Sequence, residues 1–192
     1  TTVVNIPRKE NFDIDEEAVL ARVAQGDIDF VMVTSPNNPT GKLASGAFVR
    51  SLLEASDALV MVDEAYFEFS RSTMRPLLDE NLVILRTFSK AFSLAGVRLG
   101  YLLANQSVIR EFIKVRQPYS VDAVSQAIGC AVFRNRSKFE PGINQIIEQR
   151  KLLIDCMRAI PGIEVFDSDS NYILIRLAHA DKVWQQLYDR GI

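Results

Sequence analysis

Histidine occurs once in these 192 residues, tryptophan once and cysteine twice. So thin a supply of imidazole and thiol argues against a site built from clustered His and Cys, and Cys130 and Cys156 lack the spacing of a metal knuckle. They read as buried thiols of a cytosolic protein, not as a disulfide framework. The lone His179, near an expected helix start, reads as a surface or capping residue. No apolar run approaches the roughly 20 residues of a membrane span, and no signal peptide is visible. Lysine and arginine total 22 against 24 aspartates and glutamates, a net charge of -2. A balance so close to neutral gives no field to draw nucleic acid or an anionic membrane. There is no repeat and no low-complexity tract. What remains is a chain that is 48% hydrophobic and long enough to bury a sizeable core in one or two domains.

Apolar runs alternate with amphipathic stretches. The pattern predicts a helix over Ile14–Gln25, opening with Asp15 and ending at Gly26, then a strand at Phe30–Val33. A helix over Ser45–Ala55 precedes a strand at Leu59–Val62, and further strands follow at Leu82–Leu85 and Val97–Leu103. Helices are expected at Gln106–Val115 and Asp122–Arg134, and Pro141 opens a long one to about Ala159. Beyond it come strands at Glu164–Phe166 and Tyr172–Leu177 and a helix at Asp181–Asp189. This alternation predicts an α/β fold, a mostly parallel sheet with helices on both faces and right-handed crossovers. The link into Val97–Leu103 is too short for a crossover, so that strand is expected to run antiparallel.

Three strand ends carry polar chemistry. Arg86 to Arg98 reads Arg-Thr-Phe-Ser-Lys-Ala-Phe-Ser-Leu-Ala-Gly-Val-Arg after the apolar run Leu82–Leu85. An amine there, Lys90, suits condensation with a phosphorylated aldehyde while Thr87, Ser89 and Arg98 hold the phosphate; a lysine taken alone is most often a solvated surface charge. Asp63 ends the run Ala58–Val62, at the edge where ligands gather in open α/β sheets. It either caps a following turn or pairs with a protonated pyridine nitrogen, whose charge it would stabilise. Tyr66 is either an ordinary half-buried tyrosine or a donor to the ring's phenolic oxygen. Ser35-Pro36-Asn37-Asn38-Pro39-Thr40-Gly41 is a rigid turn after Phe30–Val33. It is either a plain surface turn or the support from which Asn38 reaches the same oxygen.

Taken together, these motifs resemble those of the fold-type I pyridoxal-phosphate aminotransferases, most nearly the histidinol-phosphate aminotransferase group. The resemblance spans essentially the whole chain, with support from Ser170-Asn171-Tyr172-Ile173-Leu174-Ile175-Arg176. It implies that pyridoxal 5'-phosphate is attached at Lys90, with Asp63 on the pyridine nitrogen and Asn38 and Tyr66 on the ring oxygen. Thr87, Ser89 and Arg98 would hold the phosphate. It also implies transamination between histidinol phosphate and 2-oxoglutarate in histidine biosynthesis, in a cytoplasmic homodimer. The same site serves aromatic aminotransferases, a phosphothreonine decarboxylase, and non-catalytic cofactor-binding modules of regulators. Residues 1–140 would form a cofactor-binding portion, and 141–192 a linking helix with part of a smaller domain. The family's chains extend further at both ends, so the expectation is a fragment, inactive alone.

Overall fold

The computed structural model describes residues 2–78 and 81–192. Strands β1 (Phe30–Thr34), β2 (Leu59–Asp63), β3 (Leu82–Thr87) and β4 (Gly100–Ala104) form one sheet in that order. The first three are parallel, and β4 runs antiparallel to β3. The architecture is the expected α/β one. In-register pairing sets Thr34 beside Asp63 and Asp63 beside Leu85, so three strands end on one edge of the sheet.

Side-chain alternation then separates the faces. Val33, Val60, Val62, Leu82 and Ile84 pack with Val23, Phe48, Val49 and Leu52 of helices α1 (Glu16–Val23) and α2 (Gly46–Ala55). On the other face Phe30 and Met32 remain 46% and 57% exposed, so that face is open at β1. The helices begin where a side chain accepts an otherwise orphan N–H. Asp15 accepts from Ala18 at 3.3 Å and Ser45 from Phe48 at 3.0 Å. Gly26, at φ 78°, closes the end of α1 in the left-handed conformation that a glycine adopts without strain.

Helix α3 (Phe67–Ser70) follows β2. Beyond β4 come α4 (Gln106–Val115), α5 (Ala123–Arg134) and α6 (Glu140–Arg158). A two-stranded antiparallel sheet of β5 (Ile163–Val165) and β6 (Ile175–Leu177) and the helix α7 (Ala180–Asp189) complete the chain. A second apolar cluster joins Tyr66 and Phe69 to Ala91 of the lysine loop and Ile143 of α6, with Phe139 and Tyr172 against it.

The structure corrects several expectations. Strand β4 starts at Gly100, not Val97, because Ala95–Val97 form a 3-10 turn and Arg98 takes a left-handed conformation at φ 55°. Strand β6 starts at Ile175, not Tyr172, whose hydroxyl is drawn instead to the Asn37 carbonyl. Cys130 and Cys156 are exposed, not buried, because they lie on the outward faces of α5 and α6. His179, by contrast, is exposed at the N-cap position of α7 as the surface alternative expected, and makes no side-chain capping bond. Among the described residues no helix is long and apolar enough to cross a membrane.

Behind the strand ends lies a buried ion pair. Glu64, 1% exposed, follows Asp63 and so points to the opposite, core face. Its Oε2 accepts from Arg86 Nη2 at 2.9 Å, Arg86 Nε at 3.1 Å and Thr73 Oγ1 at 2.9 Å, while Oε1 accepts from the Met74 N–H at 2.6 Å. Arg86 also donates to Thr73 Oγ1 at 2.8 Å, and its guanidinium stacks over the Phe67 ring at 3.5 Å. The pair thereby ties the ends of β2 and β3 to the loop through Thr73.

Removing one partner of such a pair strands the other charge, at a typical cost of about 3–5 kcal/mol. Glu64→Ala should therefore lower the unfolding free energy measured by urea denaturation by that order; a loss under about 1 kcal/mol would show the pair to be incidental. Glu68 of α3 is also buried, and that burial raises its carboxyl pKa, with its backbone hydrogen bond and the nearby Arg86 and Arg71 offsetting only part. The folded chain then holds this proton more tightly than the unfolded chain does. Stability consequently falls as pH rises from the ordinary carboxyl range through the folded value. Glu68→Gln should melt higher at neutral pH and gain nothing in acid; an equal gain at both would place its effect in packing.

Candidate active site

All the candidate residues but Arg98, which precedes β4, sit at or just beyond the end of a strand. The turn after β1 is held from within: Thr34 Oγ1 donates to Asn37 Oδ1, the Asn37 side-chain amide donates to Thr40 Oγ1 at 2.9 Å, and the Asn37 N–H donates to the Lys42 carbonyl at 2.8 Å. The peptide bonds before Pro36 and Pro39 are cis. Held by these hydrogen bonds, the turn lifts Asn38 into solvent with its amide donating to the Tyr66 hydroxyl at 3.0 Å. Tyr66 itself is buried, and Tyr172 meets it edge-on at 5.1 Å between ring centroids.

The lysine loop is closed by backbone bonds. The Phe88 N–H donates to the Leu99 carbonyl at 3.1 Å, and the Leu94 N–H returns to the Phe88 carbonyl at 3.1 Å. Phe88, Ala91 and Phe92 are buried and anchor the loop, with Phe92 edge-on to Phe139 and Phe88 tilted against Tyr101. Lys90 lies between these anchors and faces outward, its amine 5.4 Å from the centroid of the Tyr66 ring.

Asp63 is half-buried at the end of β2, and its Oδ1 accepts from the Ala65 N–H at 2.9 Å. That bond caps the turn and orients the carboxylate; among the described residues its Oδ2 has no hydrogen-bonding partner, so it can face a cation. Thr87 Oγ1 accepts from the Ser89 N–H at 3.1 Å and donates to the Leu99 carbonyl at 3.4 Å, so the hydroxyl is aimed by the loop it closes. The exposed Arg98 spends one nitrogen on the Ala95 carbonyl at 3.0 Å. No hydrogen bond joins it to Thr87 or Ser89.

The structure thus brings Asn38, Tyr66 and Lys90 together and sets Asp63 at the same sheet edge. It places Thr87, Ser89 and Arg98 along one loop without joining them into a cradle. A shallow cavity of about 610 Å³ lined by Arg8, Lys9, Glu10, Phe12 and Arg176 includes none of them. The donor set suits a planar, phosphorylated, electron-poor ring carrying an aldehyde: an amine, a carboxylate, two hydrogen-bonding groups meeting at one point, and hydroxyls with a guanidinium nearby.

Sequence reasoning passed over three supporting residues. Glu64 and Arg86 stand inside the motifs around Asp63 and Lys90. Strand parity alone puts Glu64 on the buried face, where a carboxylate requires a cation. Tyr172 sits in the Ser170-Asn171-Tyr172 motif, yet its hydroxyl donates to the Asn37 carbonyl at 2.8 Å, a contact across 135 positions that no local pattern reveals.

Residues 1–192 match the profile of the family described as aminotransferase class I and II. The chain is 39% identical to a histidinol-phosphate aminotransferase of Pelodictyon phaeoclathratiforme over 99% of its own length and 54% of that protein. It therefore spans about half the length of the curated relatives it matches. The crystal structure of the histidinol-phosphate aminotransferase from Clostridium acetobutylicum superposes with a TM-score of 0.87 at 26% identity, covering 96% of this chain and 58% of that one. The Sinorhizobium meliloti histidinol-phosphate aminotransferase, in complex with pyridoxal-5'-phosphate, gives 0.83 at 25% identity, covering 97% and 52%. With its motifs at the strand ends, its mostly parallel sheet and a match along its full length, the chain belongs to the class I and II aminotransferases.

Proposed function

We propose that this chain carries the cofactor-binding core of a pyridoxal-phosphate-dependent aminotransferase, with histidinol phosphate as amino donor and 2-oxoglutarate as acceptor. The observation that carries the reading is the meeting of Asn38 and Tyr66 at 3.0 Å, with the Lys90 amine 5.4 Å from the same tyrosine ring. When bound, the cofactor supplies an aldehyde for the lysine and a ring that accepts the electron pair left by a departing proton.

The chain's own residues have separable tasks. Lys90 would hold the cofactor through its amine, and its Nζ, when free, would take the proton from the donor's amino-bearing carbon. Asp63 keeps the pyridine nitrogen protonated through its negative charge. Asn38 and Tyr66 fix the ring oxygen, and Thr87, Ser89 and Arg98 bind the phosphate. Residues 1–140 would act as the cofactor-binding portion, and 141–192 as a linking helix with part of a second domain; the separate β5–β6 sheet supports that division. The assembly would be a cytoplasmic homodimer. The names of the curated relatives support this donor over the aromatic and phosphothreonine alternatives.

Cofactor titration followed by absorption tests the assignment. Arg98→Ala should bind pyridoxal phosphate roughly tenfold or more weakly, the value of a charge-assisted contact of about 1.5–3 kcal/mol. Unchanged affinity would remove Arg98 from the phosphate site. Asp63→Ala should still attach the cofactor covalently but lose its amination by histidinol phosphate in the longer protein; full retention would sink the role given to the carboxylate.

A further inference from the structure

The last third of the chain reaches back to the turn that carries Asn38. Arg150, buried on α6, donates from Nη1 to the Ser170 carbonyl at 2.5 Å. Ser170 is fully buried, and its N–H donates to Ser168 Oγ at 3.1 Å. The Asp169 N–H donates to the Gly41 carbonyl at 2.9 Å. Gly41, at φ 71°, packs so closely on Ser168 that a Cβ there would collide with the serine side chain. Two residues beyond Ser170, the Tyr172 hydroxyl donates to the Asn37 carbonyl at 2.8 Å, beside the Gly41 N–H that donates to the same oxygen at 2.7 Å.

Tyr172 therefore touches both halves of the ring-oxygen pair. Its hydroxyl fixes the peptide that precedes Asn38, and its ring fixes the face of Tyr66 at 5.1 Å. Arg150 carries buried capacity beyond this single bond: among the described residues its Nε and the Ser170 Oγ are both buried without a hydrogen-bonding partner. A charged side chain taken out of water costs free energy, offset here by the Ser170 carbonyl and the nearby Asp169 carboxylate, both of the segment that Arg150 holds.

We infer that Tyr172 is a positioning residue for Asn38 and Tyr66, and that Arg150 is the latch that holds the 168–172 segment so that Tyr172 can act. The latch is a property of the protein alone. Its consequence for cofactor geometry rests on the function proposed above. Both residues work through others: among the described residues no hydrogen bond joins either of them to Lys90 or Asp63.

The test uses 15N-labelled chain without cofactor. The Asn38 side-chain amide is followed by NMR, with Tyr66→Phe marking where its signal lies once the hydrogen bond is lost. Tyr172→Phe keeps the aromatic ring and removes only the hydroxyl. Its Asn38 signal should move toward the Tyr66→Phe position, and the amides of the 37–41 turn should exchange roughly five- to tenfold faster. Arg150→Met should move the signal the same way, and Arg150→Lys should restore it at least in part. An Asn38 signal that stays in place in Tyr172→Phe overturns the proposal whatever the exchange rates do. Should Arg150→Met fail to fold, the tyrosine variant carries the test unaided. A chain that shows these shifts but takes up no pyridoxal phosphate keeps the latch and loses the cofactor reading, so the two fail separately.

Discussion

The site depends on register. Parallel pairing of β1, β2 and β3 sets Thr34 opposite Asp63 and Asp63 opposite Leu85, which brings three chain exits to one edge. A slip of one residue in β2 would turn Asp63 into the core and Glu64 to the opposite face. The alternation Val60, Val62, Glu64 resists that slip, because the two valines belong to the core with α1 and α2 while Glu64 has the partly buried Arg86 to meet. Apolar burial and one ion pair thus act on the same strand in the same direction. Asp63 faces away from the core because its neighbours Val62 and Glu64 have nowhere else to go.

The two sides of the sheet edge divide the work. On the core side Glu64, Arg86 and Thr73 clamp the strand ends with mutually satisfied bonds. On the opposite side Asp63 and Thr87 are each bonded to a local backbone N–H and so are pre-aimed. Preorganised polar groups of this kind do not have to be reorganised when charge appears beside them. Lys90, between buried aromatic anchors, gains reach without giving up position. The C-terminal segment adds the remaining restraint through Tyr172, linking residues far apart in sequence at one tyrosine ring.

Much of this was legible in the chain itself, and the reasons differ by element. Strands β1 to β3 announce themselves as short apolar runs, and helices α1, α2 and α5 as amphipathic stretches behind a capping Asp or Ser. The antiparallel β4 followed from a link too short for a crossover, although its start was misplaced because nothing in Val97 and Arg98 betrays a left-handed residue. The candidate site was legible because strand ends collect function. What escaped was tertiary: the partner of Glu64, the reach of Tyr172 to Asn37, the burial of Arg150. The exposed cysteines escaped for a similar reason, since composition fixes neither which face of a helix a thiol occupies nor what packs there.

The central claim is that Lys90 is the amine to which the rest of the site is built. Its most direct test is borohydride reduction of the chain with pyridoxal phosphate, followed by peptide mass mapping. The account predicts one stoichiometric label, on Lys90. A label divided among surface lysines such as Lys114 and Lys138, with Lys90 no more modified than they are, would contradict it.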